Sequence, residues 1–257
     1  MSGISSVFGK DKRKALIPYI TVGYPSIEAT LEVVPVLEAV GSDIVELGIP
    51  FSDPLADGAT IQRASYQALQ QGITPRRCLE IAGKLRRSVG LPLVFMSYYN
   101  PILAFGVESF CAACAESGVD GLILPDLPPE EGADLEALTI RYGLDLIYLL
   151  APTSTEERID LVTSRSRGFV YLVSVAGVTG ARGTLPPELE GFVAKVRRRT
   201  DKPLCVGFGI STPEQARRVA RVADGVIVGS RLIQLMEEPD SIARLRSFVE
   251  SLRQALS

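Results

Sequence analysis

Short runs of apolar and β-branched residues recur along the chain, separated by longer stretches in which apolar positions return every three or four residues. The strand candidates are Leu16 to Val22, Asp43 to Leu47, Leu93 to Ser97, Gly121 to Leu124, Asp145 to Leu150, Phe169 to Ser174, Leu204 to Gly207 and Gly225 to Val228. Most are continuous hydrophobic runs rather than alternating ones, which is the pattern of parallel strands in a sheet covered by helices. Helix starts are marked between them at Ser26, at Thr74-Pro75 and at Thr212-Pro213-Glu214. At each, a hydroxyl can cap the first turn, and proline suits the first helical position because it lacks only an N–H that would go unpaired there.

Eight strand-helix units in 257 residues, with no linker-like break in composition, predict a single domain spanning 1–257. That count predicts an α/β fold, a (β/α)8 TIM barrel with a short N-terminal extension. A doubly wound parallel sheet is the competing arrangement. In a barrel, chemistry belongs to the C-terminal strand ends and the loops that follow them, and those positions are where polar residues carry information.

Composition narrows the chemistry. With 46% hydrophobic and 22% charged residues the protein is of globular type. Lys and Arg total 27 against 30 Asp and Glu, a net charge of −3, which offers no electrostatic footprint for nucleic acid or an anionic membrane. The expected partner is a small molecule or another protein. Histidine is absent, so a Ser-His-Asp triad, a Cys-His pair and an HExxH zinc site are all excluded, and proton transfer falls to carboxylates, Tyr, Lys or Cys. No apolar run reaches the ~20 residues of a membrane span, and the polar, basic start MSGISSVFGKDKRK does not resemble a signal sequence, so a cytoplasmic location is expected. Cys111 and Cys114 form a CxxC, but inside a helical pattern and without a second ligand pair, which reads as buried structural thiols.

Glu46 interrupts the second strand near its C-terminal end. Period-2 alternation places it on the same face as Ile44, toward the barrel mouth, where desolvation raises a carboxylate's pKa into the range useful for proton transfer. The alternative is a structural glutamate paired with an arginine or a backbone amide. The loop after this strand supplies Asp53 and Asp57, flanked by Pro54 and Gly58. Either aspartate could be only a turn former, yet Asp57 lies far enough beyond Glu46 to fold back across a cavity. Glycine-rich segments follow the sixth, seventh and eighth strands: 174–183, with Thr179 and Gly180 as donors on a lid; Gly207-Phe208-Gly209; and Gly229-Ser230. Together they suit a phosphate held by backbone N–H groups. No lysine ends a strand, so a Schiff-base aldolase is disfavoured, and with no histidine for a zinc aldolase a substrate undergoing C–C cleavage must carry its own electron sink.

These residues carry a resemblance. PYITVGYP at 18–25, DIVELGIPFSDPLADGATIQ at 43–62, MSYYNP at 96–101, LPDLPPEE at 124–131, YLVSVAGVTGARG at 171–183, VGFGIS at 206–211 and VGS at 228–230 together resemble the tryptophan synthase α subunit family. The resemblance implies reversible retro-aldol cleavage of indole-3-glycerol phosphate to indole and glyceraldehyde 3-phosphate. Glu46 would protonate indole C3 and take the side-arm hydroxyl proton, and Asp57 would accept the indole N–H. Tyr19, Ile61, Tyr171 and Thr179 would contact substrate, and Gly180, Phe208, Gly209, Gly229 and Ser230 would cradle the phosphate. Ala59 stands where the family more often has proline. The resemblance further implies a β subunit in an α2β2 complex, facing Asp53 and Pro54, with pyridoxal phosphate on that partner and no cofactor in this chain. A stand-alone lyase, a catalytically quiet activator of a β subunit and, more distantly, a two-carboxylate glycosidase are the competing readings.

Overall fold

A computed structural model of the protein describes residues 3–9, 13–174, 187–207 and 209–257. The expected lid residues Thr179 and Gly180, and Phe208 of the phosphate cradle, lie outside the described residues. Nine strands occur among those described: β1 (Ala15–Thr21), β2 (Val45–Gly48), β3 (Leu93–Met96), β4 (Gly121–Ile123), β5 (Asp145–Ile147), β6 (Leu149–Leu150), β7 (Val170–Val173), β8 (Leu204–Gly207) and β9 (Gly225–Val228). All pair in parallel, in the order β5-β4-β3-β2-β1-β9-β8-β7-β6.

The two ends of that order, β5 and β6, belong to one predicted strand that is interrupted at Tyr148. Its first half pairs with β4 and its second with β7, so the sheet closes on itself. At the interruption the Tyr148 N–H donates to the Ser166 hydroxyl (3.1 Å), and the Tyr148 carbonyl accepts from the Tyr171 N–H (3.0 Å). A serine hydroxyl therefore replaces one rung of the ladder. Following the register once around the ring, from Tyr19 through Glu46, Val94, Gly121 and Asp145, then from Leu149 through Tyr171, Cys205 and Gly225 to Ala15, displaces the start by eight residues. Four come from Asp145 to Leu149 and four from Ala15 to Tyr19. Eight strands with a stagger of eight is the geometry of a (β/α)8 barrel.

The helix signals act as the sequence indicates. Ser26 caps Ile27–Ala39 through the Ala29 N–H, and Thr74 caps Pro75–Leu85 through the Arg77 N–H. Thr212 forms a reciprocal capping box with Gln215 at the start of Pro213–Ala220. The second strand begins later than its hydrophobic run: Asp43 lies before it and accepts the Leu16 N–H (2.8 Å), with Arg253 also on its carboxylate (2.9 Å). Cys111 and Cys114 are buried on the helix Val107–Glu116, and all four cysteines are free and buried. No helix among the described residues is long and apolar enough to cross a membrane.

The N-terminal extension closes the end of the barrel opposite the strand C-termini. Ile4, on the helix Gly3–Val7, is fully buried and fills the space above Gly121 and Gly168, while the Phe8 ring packs on Phe169 at 6.0 Å. Ile4→Ala removes apolar atoms from a site with no water access. It is expected to destabilise the fold by about 2–4 kcal/mol in denaturant titrations, while turnover of the folded fraction is unchanged.

Candidate active site

At the strand C-termini a cleft opens, lined by Tyr19, Glu46, Asp57, Ile61, Met96, Tyr171, Gly209, Ile210, Ile227, Gly229 and Ser230. Tyr19 and Glu46 are register partners on β1 and β2, so their side chains leave the sheet on the same face. Glu46 is buried (1% exposed), and among the described residues it is in no ion pair and neither carboxylate oxygen has a hydrogen-bond partner. Among the described residues, then, no arginine or amide is matched to this glutamate.

Two tyrosines wall the cleft because two glycines leave room for them. A Cβ on Gly48 would collide with the Tyr19 hydroxyl, and one on Gly207 would collide with that of Tyr171. Gly207 therefore serves ring packing, whereas Gly209, at φ +82°, supplies a backbone conformation that other residues rarely adopt. The Tyr19 hydroxyl also lies 3.3 Å from that of Thr21.

Asp57 reaches the same cleft from the loop after β2 and is buried (4% exposed). Its N–H donates to the Pro54 carbonyl (3.0 Å), and its own carbonyl accepts from the Gln62 amide group (2.8 Å), fixing the end of the loop. Tyr98 donates its hydroxyl to Asp57 Oδ2 (3.2 Å), accepts the Ala56 N–H (2.9 Å), and lays its ring on Phe51. Asp57 Oδ1 has no partner among the described residues.

The two carboxyl groups differ in proton affinity. Burial, and then the nearby Asp57 charge, push Glu46 up to about 8. Burial raises Asp57 only to about 6, because the Tyr98 hydrogen bond favours its charged form. At neutral pH the cleft thus holds one protonated and one ionised carboxyl group. Burial likewise holds the Tyr19 and Tyr171 phenols well above their ordinary range, so both remain neutral.

Eight of the sequence-predicted residues, Tyr19, Glu46, Asp57, Ile61, Tyr171, Gly209, Gly229 and Ser230, line this single cleft. Asp53 and Pro54 do not. They sit on the outer side of the β2 loop, Asp53 exposed and Pro54 half-buried, beside Leu55 at 85% exposure. Met96, Ile210, Ile227 and Tyr98 are not singled out by sequence reasoning. Met96 shares the period-2 face of its strand with Val94, the register partner of Glu46, and that alternation is the signal that could have revealed it.

A barrel whose mouth buries an acid, unpaired among the described residues, beside a second carboxylate has the layout of an enzyme of the (β/α)8 class. The family model for the tryptophan synthase alpha chain matches residues 7–256. The protein belongs to the tryptophan synthase alpha chain family. It is 58% identical to the tryptophan synthase alpha chain of Dehalococcoides mccartyi, over the whole of both proteins, and 50% identical to that of Chloroflexus aurantiacus, covering 100% of this chain and 98% of the relative. Among solved structures it is similar to Mycobacterium tuberculosis tryptophan synthase (TM-score 0.92, 39% identity, 99% of this chain and 98% of that one). It is equally similar to the tryptophan synthase alpha subunit of Legionella pneumophila (TM-score 0.92, 38% identity, 100% and 98%).

The buried acid has a consequence for stability. Between the ordinary value of 4.5 and about 8, folded Glu46 keeps a proton that the unfolded state has released, so stability falls as pH rises through that window. Glu46→Gln removes the titration and keeps the shape. It is expected to melt higher than the parent at pH 8.5, by at least about 1 kcal/mol or about 2–4 °C, with the difference vanishing toward pH 4.5. Calorimetry at the two pH values checks this, and a pH-independent difference would show that Glu46 is not held neutral.

Proposed function

We propose that Glu46 and Asp57 carry out the family reaction in this protein, the reversible cleavage of indole-3-glycerol phosphate to indole and glyceraldehyde 3-phosphate. The observation that carries this assignment is the fully buried Glu46 carboxyl, unpaired within the described residues and protonated at neutral pH, lining the same cleft as an ionised Asp57. Proton transfer from Glu46 to indole C3 makes an indoleninium. Asp57 accepts the ring N–H and stabilises the positive charge that develops there. The electron pair of the breaking C–C bond, between the ring and its glycerol arm, then flows into the ring, while the neighbouring hydroxyl of that arm gives its proton to the Glu46 carboxylate and becomes the aldehyde. Glu46 ends protonated, as it began. The substrate is its own electron sink, so the reaction asks for no cofactor on this chain.

The rest of the cleft suits the two ends of that substrate. Tyr19, Ile61, Met96, Ile210 and Ile227 give an apolar slot for the indole ring, with Tyr171 across it. Gly209, Gly229 and Ser230, which line the cleft, would offer backbone N–H groups to the phosphate end, and Thr179, Gly180 and Phe208 would complete the enclosure. The barrel as a whole acts as one cytoplasmic catalytic domain. The exposed Asp53, Pro54 and Leu55 suit contact with a β subunit in an α2β2 assembly, which would take up the indole and carry the pyridoxal phosphate.

Indole release from indole-3-glycerol phosphate tests the assignment. Glu46→Gln and Asp57→Asn should each lose about 10²–10⁴-fold in kcat with the fold retained, whether or not a β subunit is added. The kcat/KM profile should be bell-shaped, with activity lost below about pH 6 as Asp57 gains its proton and above about pH 8 as Glu46 loses its own. A Glu46→Gln protein that turns over like the parent removes the mechanism.

A further inference from the structure

Outside the residues that line the cleft, two side chains from different elements converge on one carboxylate oxygen of a third. Glu237 Oε1 accepts the hydroxyl of Tyr24 and is 2.7 Å from Arg63 Nη2. Tyr24 is buried (2% exposed) and follows β1, the strand that carries Tyr19. Arg63 is on the helix Ala59–Gln70, which begins two residues after Asp57 and carries Ile61 into the cleft. Glu237 caps the C-terminal end of the helix Ser230–Met236, whose first residue, with Gly229 before it, forms the proposed phosphate end. Each of the three residues therefore sits on, or directly beside, an element that also bears cleft residues.

Glu237 and Arg63 are partly exposed, their side chains 36% and 50% accessible, with Tyr24 buried beneath them. A carboxylate at a helix C-terminus faces the carbonyl ends of the last turn, where a positive charge would be favoured. Seven residues are also too few for a helix to hold its own direction by internal hydrogen bonds, so its aim depends on what its sides and its far end touch. Its sides are held by buried Leu232, Ile233, Leu235 and Met236, and it packs against both β1 and the helix Ala59–Gln70. Its far end is held by Glu237. Arg63 and Tyr24 compensate the misplaced charge and tie that end to the two other elements.

We infer that Glu237 is a positioning residue that, through Arg63 and Tyr24, aims the Gly229–Ser230 turn at the phosphate end of the substrate. The inference rests on the phosphoester reading of the cleft given above. Rotation of the short helix would move the backbone donors at its start while leaving Glu46, on β2, where it is. The effect belongs in substrate affinity rather than in the chemical step.

Steady-state kinetics with indole-3-glycerol phosphate, and calorimetric titration of the full-length protein with glycerol 3-phosphate, test this. Glu237→Gln should raise KM and weaken glycerol 3-phosphate binding by about 5- to 20-fold, with kcat within about two-fold of the parent and both limbs of the pH profile unmoved. Arg63→Gln should act in the same direction, and the double variant should be no worse than Glu237→Gln alone, because each removes the same contact. Tyr24→Phe keeps the ion pair and should give a smaller shift of about 2- to 5-fold, which keeps the test available if Glu237→Gln folds poorly. A lowered melting temperature with KM and glycerol 3-phosphate affinity within about two-fold of the parent would overturn the inference, leaving the cluster a purely structural tie. Failure of the parent itself to bind glycerol 3-phosphate would overturn the phosphoester reading, and this inference with it.

Discussion

The site depends on a carboxyl group kept out of water with no partner among the described residues. Removing an ionised carboxylate from water is so costly that a protein either pairs the charge or leaves it protonated. At Glu46 the fold takes the second course: no cation pairs with it among the described residues, and its cleft neighbours are tyrosine rings, aliphatic groups and a second acid. The protonated state at neutral pH follows from these surroundings and needs no special hydrogen bond. Asp57 differs through one contact, the Tyr98 hydroxyl on Oδ2, which favours its charge. That hydrogen bond, together with the deeper burial of Glu46 and the Asp57 charge beside it, holds the two carboxyl groups at different proton affinities.

Barrel closure supplies the walls by using the same local arrangement twice. Tyr19 on β1 is opposite Glu46 on β2, and its ring folds over Gly48, two residues further along β2. Tyr171 on β7 is opposite Cys205 on β8, and its ring folds over Gly207, again two residues further along. Side chains that point the same way along a strand are two residues apart, so a large ring on one strand needs a vacancy at that offset on the next. The position occupied by the apolar Cys205 in one half is occupied by the acid in the other. The same tyrosine-over-glycine offset thus recurs in both halves, with the acid in one of them, on β2.

Much of this is legible in the sequence because parallel strands are continuous apolar runs, in which a lone acid near a strand end stands out. Glu46 and the succession of strands follow from that pattern alone. The handover at Tyr148 does not, because the run 145–150 is mostly apolar, and what divides it is a hydroxyl from Ser166, far along the sequence. The local Gly-Phe-Gly pattern points Gly207 toward a phosphate, whereas its lack of a Cβ answers to Tyr171 on the neighbouring strand. Met96 and Ile227 escape notice because an apolar residue on a barrel strand has the same signature whether it faces the sealed core or the open mouth. Tyr98 escapes it because its partner, Asp57, comes near only through the folding of the β2 loop. Register and loop closure carry the information that local spacing lacks.

Carboxylates stand at both ends of the barrel, and what separates the two sets is whether their charge is answered. At the strand N-termini Asp43, Asp120 and Asp224 stand just before the starts of β2, β4 and β9, and each accepts an N–H near the start of the preceding strand in the sheet: Leu16, Leu93 and Leu204. Each also meets an arginine: Arg253, Arg86 and Arg197. Those carboxylates complete the ladder where it begins, and their charge is answered on the spot. At the C-terminal ends Glu46 and Asp57 receive no arginine among the described residues, and three of their four oxygens have no partner there. The same functional group is satisfied at one end and left wanting at the other. A group left wanting in a cleft is one open to a ligand, and the contrast, rather than the acid count, is what marks the mouth as the candidate site.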